Sequence, residues 1–256
     1  MDNKIINTSS QIIGNSIATA LSESIVPGSS IASEIIGPII TTVTGDVLQR
    51  LLSGIESNRI SQVVRLMQTK VNQRINTGDN PRRDDFFYID ECQQRPASKL
   101  LENTILKCRA EFEAKKLEYY SNFWVNVCFD NNVSYETANS LITLFSSLSC
   151  QQMKILTYLN SGNNIPMAKW EKYMFSNQEL SYYYTLYTDC LQLYNIRLAG
   201  QPNTEQGIRI GTPDICISPS GKLMCYLFEL ELSNEESEEL AKRINAIDII
   251  VKRLSE

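Results

Sequence analysis

Asp214-Ile215-Cys216-Ile217-Ser218-Pro219-Ser220-Gly221-Lys222 combines a strand signal with a helix start and sets the architecture of the C-terminal half. Ile215 and Ile217 alternate with polar or small neighbours, the pattern of a short half-buried strand. Ser218-Pro219 then supplies an N-cap and a first helical residue for a helix over 220–230, with a continued hairpin as the alternative. Upstream, Asn195-Ile196-Arg197-Leu198-Ala199-Gly200 leads into a polar loop. Residues 207–210 read as a second strand, joined to the first by a turn at Gly211-Thr212-Pro213.

Helical signals flank this hairpin on both sides. Ser149-Cys150-Gln151-Gln152 has the form of a capping box and opens a helix through Leu159. Ser176-Asn177-Gln178-Glu179 has the same form and predicts a helix to about Tyr194. Residues 135–148 and a long amphipathic stretch over 97–129 precede them, the latter with Leu100, Leu101, Ile105, Leu106, Phe112, Leu117, Tyr120 and Trp124 as candidate core. Ser233-Asn234-Glu235-Glu236 caps a last helix that turns Leu240, Ile244, Ile247, Val251 and Leu254 inward.

Between Ile5 and Gly45 the only charges are Glu23 and Glu34. The longest uncharged run is too polar for a membrane-spanning helix, which needs about 20 predominantly apolar residues. After Pro27-Gly28 apolar residues arrive in pairs at a helical spacing, with Gly37-Pro38 and Gly45 as places for a break or kink. This predicts one helix ending or kinked at Pro38 and a second over 46–75. Asn76-Thr77-Gly78-Asp79-Asn80-Pro81 follows as a turn and loop.

Composition narrows the chemistry. The 256 residues contain no histidine, which removes Ser-His and Cys-His nucleophile pairs and every His-containing metal site. The seven cysteines (Cys92, Cys108, Cys128, Cys150, Cys190, Cys216, Cys225) are widely spaced and form no C-x-x-C. They read as buried thiols of a reducing compartment. No spacing favours a Ser-Lys pair or a carboxylate dyad, so neither a catalytic residue nor a cofactor or metal site is assigned. A net charge of −5 disfavours nucleic acid as a partner. No signal peptide is legible, and a cytoplasmic location is expected, peripheral to the inner membrane on activation.

Binding surfaces remain as candidates. Ile31, Ile35, Ile36, Ile39, Ile40 and Val43 form a membrane or partner face, or else the buried side of a helical hairpin. Arg50, Arg59, Arg65, Lys70, Arg74, Arg82 and Arg83 form a basic face that would meet anionic headgroups, or else a solvated surface. Tyr182, Tyr183, Tyr184 and Tyr187, preceded by Trp170, Tyr173 and Phe175, are too closely spaced for all to face one core; core packing takes at least half of these aromatics, and the four tyrosines are the candidate interface for a protein partner or self-association. The helix over 179–194 offers Glu179 and Asp189 and no Lys or Arg before Arg197, which argues against a DNA-reading role. Glu229, Glu231, Glu235, Glu236, Glu238 and Glu239 read as solvated charge at a helix start.

The expected fold class is mainly α: an N-terminal apolar and basic helical segment (1–83), a central helical bundle (84–148), a winged-helix-like module with a short two- or three-stranded wing (149–230) and a C-terminal helix (231–256). With a long helix ahead of the module, the chain resembles the Abi-alpha family of bacterial abortive-infection proteins. Leu100-Leu101-Glu102-Asn103, Phe123-Trp124-Val125-Asn126-Val127, Leu148-Ser149 with Ile155-Leu156 and Leu159, and the wing sequence from Ile215 to Lys222 carry the resemblance. It covers about residues 25–230, and the helix after Leu230 departs from it. The resemblance implies anti-phage defence by growth arrest or death of the infected cell, without catalytic residues. Two alternatives from the residues are an adaptor, antitoxin or immunity protein that neutralises a partner, and a winged-helix transcriptional regulator.

Overall fold

A computed structural model describes residues 31–48, 53–89, 94–202 and 213–256, with side chains from Ile35 onward. The chain divides into two compact units between Ser146 and Ser147.

The first unit is helical. α1 (Ile31–Leu48) runs through Pro38, and Thr41 Oγ1 donates to the Gly37 carbonyl at 3.1 Å. α1 therefore neither ends at Pro38 nor yields to a second helix at residue 46. That second helix, α2 (Gly54–Asn76), starts later, where Ser53 and Glu56 form a capping box: Glu56 N donates to Ser53 Oγ and Ser53 N to Glu56 Oε2. Local capping chemistry overrode the continuous apolar pattern. α2 buries Ile60, Val63, Val64, Met67 and Val71, a stripe at helical spacing.

α3 (Pro96–Ala110) and α4 (Ala114–Phe129) replace the single helix expected over 97–129. The break carries no glycine or proline. Instead Glu111 Oε1 accepts from the Phe112 and Glu113 amides at 2.9 and 3.1 Å, and Glu111 Oε2 pairs with Lys116 Nζ at 3.2 Å. A side chain competing for backbone amides ends the helix. Phe112, expected in the core, is 86% exposed beneath the Arg59 guanidinium. α4 is buried over nearly its whole circumference, so α2, α3 and α5 (Tyr135–Ser147) are arranged around it. Trp124 is fully buried and its indole N–H points to the Ala97 carbonyl at 3.4 Å. Phe145 packs edge-on against Tyr119 and Tyr120. The described parts of the segments read as 1–83 and 84–148 thus share one core.

The second unit opens with α6 (Cys150–Asn160), capped by Ser149 and Gln152 as the sequence predicts. α7 (Met167–Met174) is a helix the sequence reading did not separate. The helix expected to start at a capping box on Ser176 instead begins with a 3₁₀ turn, Glu179–Tyr183, where Asn177 Oδ1 rather than a serine accepts the Glu179 amide. It continues as α8 (Tyr184–Asn195). β1 (Ala199–Gly200) pairs antiparallel with β2 (Cys216–Ile217). Ile165 joins the same sheet through reciprocal 3.0 Å bonds with Ile215. The partner of β2 is thus Ala199–Gly200, and the strand expected at 207–210 lies outside the described residues.

α9 (Pro219–Phe228) starts at the Ser218 cap, and α10 (Asn234–Ser255) at a capping box of Ser233 and Glu236. Leu240, Ile244, Ile247 and Val251 of α10 are buried, whereas Leu254 is 37% exposed and not inward as expected. Three helices (α6–α8), a strand-like bridge at Ile165 between the first two, a two-stranded wing and the closing helix α9 make the winged-helix-like module. The chain is mainly α.

Candidate interaction surface

The apolar face of α1 is core. Ile36, Ile39 and Ile40 are at most 2% exposed and Val43 is buried, while Ile35 is half-buried. The side chain of Ile31 lies outside those described. No described helix is long and apolar enough to cross a membrane. This face fills the first unit, so it is not an exposed docking or lipid surface in this structure.

The basic residues do not form one face. Arg82 is buried: its guanidinium donates to the Val133 carbonyl at 2.8 Å and the Val127 carbonyl at 3.3 Å, grips Asp84, and stacks 4.4 Å from the Phe86 ring centroid. Arg74 donates to Asn126 Oδ1 at 2.6 Å and lies over Phe129. Arg59 donates to the Arg109 carbonyl, and Lys70 stands 3.9 Å from Glu118. Arg59, Lys70 and Arg74 bind α2 to α3 or α4, and Arg82 pins its loop to the end of α4, which a sequence-level charge pattern does not reveal. Arg65 and Arg83 are exposed, and Arg50 lies outside the described residues.

The tyrosines separate cleanly. Tyr187 is 2% exposed and belongs to the core, contrary to its reading as an interface residue, because α8 turns it inward beside Leu186 and Cys190. Tyr182 is 82% exposed and Tyr184 43%, with Tyr183 half-buried. Phe175, just past α7, is 68% exposed and packs edge-on against Tyr184 at 5.7 Å and Tyr187 at 6.0 Å. Tyr187 thereby anchors a surface pair, Phe175 and Tyr184, to the core. Trp170 is fully buried.

The helix α8 itself carries little charge. α8 contains no Lys or Arg. Burial pushes the carboxyl of its single acid, Asp189, above the ordinary range, against the opposing influence of Gln152 and Arg243.

Among the described residues, four buried thiols are held away from reactivity. Burial pushes Cys108, Cys128 and Cys190 well up, and Cys225 up to about 12. A nucleophilic thiol needs the opposite shift. The Tyr120 hydroxyl, fully buried and with no hydrogen-bond partner among the described residues, is likewise pushed up by burial, with Cys108 and Glu111 adding to it. Among the described residues no cluster of Cys, Asp or Glu could hold a metal ion. Comparison with known proteins gives no matching family model, curated protein or solved structure.

Proposed function

We propose that this chain is a non-enzymatic binding protein of the abortive-infection type, whose winged-helix-like module engages a protein partner through Phe175, Tyr182 and Tyr184. The observation that carries this reading is the exposure of these three rings around the start of α8. Aromatic rings supply large contact area at low entropic cost and dominate many interfaces. A helix in this position that read DNA would need cations for phosphate contact, and α8 has none. The resemblance to bacterial defence proteins supplies the biological setting, in which engagement of the partner arrests growth of the infected cell. A membrane-active step would require α1 to leave the core that Ile36, Ile39 and Ile40 fill.

The test is controlled induction in bacteria with and without phage challenge, comparing the natural chain with a Phe175→Ser, Tyr182→Ser, Tyr184→Ser variant of matched abundance. The reading expects growth arrest or infection-dependent death that the triple variant abolishes. Rescue of growth from a toxic partner protein, lost in the same variant, would assign the chain to the neutralising class instead. An equal response of both chains removes the aromatic surface from the explanation.

A further inference from the structure

A cleft of about 490 Å³ lies between α7 and α10 within the second unit. Lys169, Lys172 and Tyr173 line it from α7, and Asp248, Val251 and Lys252 from α10. The spacings of three and four residues place each set on one helical face. Val251 is 6% exposed and forms an apolar floor. The Asp248 carboxylate is held by the indole N–H of the buried Trp170 at 2.7 Å, which fixes one wall.

The cations are what set this cleft apart. Among the described residues, Lys169, Lys172 and Lys252 have no carboxylate partner within ion-pair distance; Lys172 lies instead 5.0 Å from the Tyr173 ring centroid. Three ammonium groups against one carboxylate give the lining a formal charge of +2 in a chain of net charge −5. Such a site favours a small anion of more than one charge. A phosphomonoester carries about −1.5 to −2 at neutral pH and offers three strong acceptor oxygens, and lysine binds phosphate as a point charge. The apolar floor and the Tyr173 ring suit an organic substituent, and the volume falls in the range of small-molecule sites, about 300–1,000 Å³.

We propose that the cleft between α7 and α10 binds a small phosphomonoester, its phosphate held by Lys169, Lys172 and Lys252 and its organic part resting on Val251 and Tyr173. The proposal uses none of the residues that carry the protein-binding reading, so each can fail alone.

The full chain is titrated with adenosine 5′-monophosphate, with adenosine as the uncharged control, by calorimetry and by amide chemical shifts. Vesicles of phosphatidylcholine with and without phosphatidic acid distinguish a lipid headgroup from a free phosphomonoester. Saturable binding of the nucleotide but not of adenosine is expected. Each Lys→Gln substitution should weaken it about tenfold and Lys172→Arg much less, since one charge-assisted contact is worth roughly that factor. Binding to phosphatidic acid vesicles alone, lost in the Lys169→Gln, Lys172→Gln, Lys252→Gln variant, would also support the site and assign its phosphate to lipid. No saturable binding to either probe, or binding that the triple variant retains while its circular dichroism is unchanged, overturns the proposal.

Discussion

The indole Nε1 of Trp170 donates to Asp248 Oδ1 at 2.7 Å, joining α7 to α10 across 78 positions of sequence. Trp170 is fully buried, so its N–H has no solvent to fall back on. Asp248→Ala should cost about 1–3 kcal/mol, the desolvation penalty of an orphaned donor, whereas Asp248→Asn keeps an acceptor and should cost less. A double-mutant cycle with Trp170→Phe, read from urea midpoints, should show coupling of about 1 kcal/mol. Additive single effects would mean the bond contributes nothing to the fold.

Gly221 is fixed by its neighbours and not by its backbone angles. A Cβ there would come within 2.1 Å of the Leu198 carbonyl oxygen and 2.7 Å of Ile217 Cδ1. Backbone atoms cannot yield as a flexible side chain can. Gly221→Ala should therefore destabilise the second unit by about 2 kcal/mol or more. Ser220→Ala, at an exposed neighbour in the same helix, serves as the control and should lie within about 0.5 kcal/mol of the natural chain. Equal thermal midpoints for the two variants would refute the close approach.

Arg82 and Asp84 link stability to pH. The hydrogen bond from Arg82 holds the Asp84 carboxyl below its ordinary range. A carboxyl depressed in the folded state contributes stability above its unfolded pKa, about 3.9. That contribution is lost as pH falls through the lower folded value. Arg82→Ala also leaves the carbonyls of Val127 and Val133 without this donor, so a loss of about 3 kcal/mol at pH 7 is expected. Arg82→Lys should restore little, because an ammonium cannot reproduce the planar fork. Urea unfolding at pH 7 and pH 3 checks both points: the difference between the natural chain and Arg82→Ala must shrink on acidification.

Ile39 and Ile35 separate core from surface on α1. Ile39 is 2% exposed and Ile35 half-buried. Ile39→Glu places a charge in the apolar interior and should cost several kcal/mol, unfolding the first unit. Ile39→Val should cost about 0.5–1.5 kcal/mol, and Ile35→Glu clearly less than Ile39→Glu. Comparable losses for the two glutamates, measured by circular dichroism melts, would show that the helix is not packed by this face.

Much of the second unit was legible because its signals are local. Ser149, Ser218 and Ser233 start helices through bonds to amides three residues on, and Ile215 and Ile217 mark a strand by alternation. The start of α2 was placed too early for a related reason: Ser53 and Glu56 do cap it, but an uninterrupted apolar pattern masked them. The break at Glu111 had no conventional marker, since its cause is one side chain folding back on the next two amides.

Periodicity, capping and composition, which act within a few residues of one another, carried the mainly helical class, the capped helices on either side of the wing and the lack of imidazole chemistry. Packing alone made Tyr187 core and Tyr182 surface, set Arg74 to join α2 to α4 and Arg82 to pin its loop to the end of α4, and brought Lys169 and Lys252, 83 positions apart in the chain, to one cleft. These outcomes depend on which helix faces pack together. Packing joins residues far apart in the chain, and no local pattern encodes it.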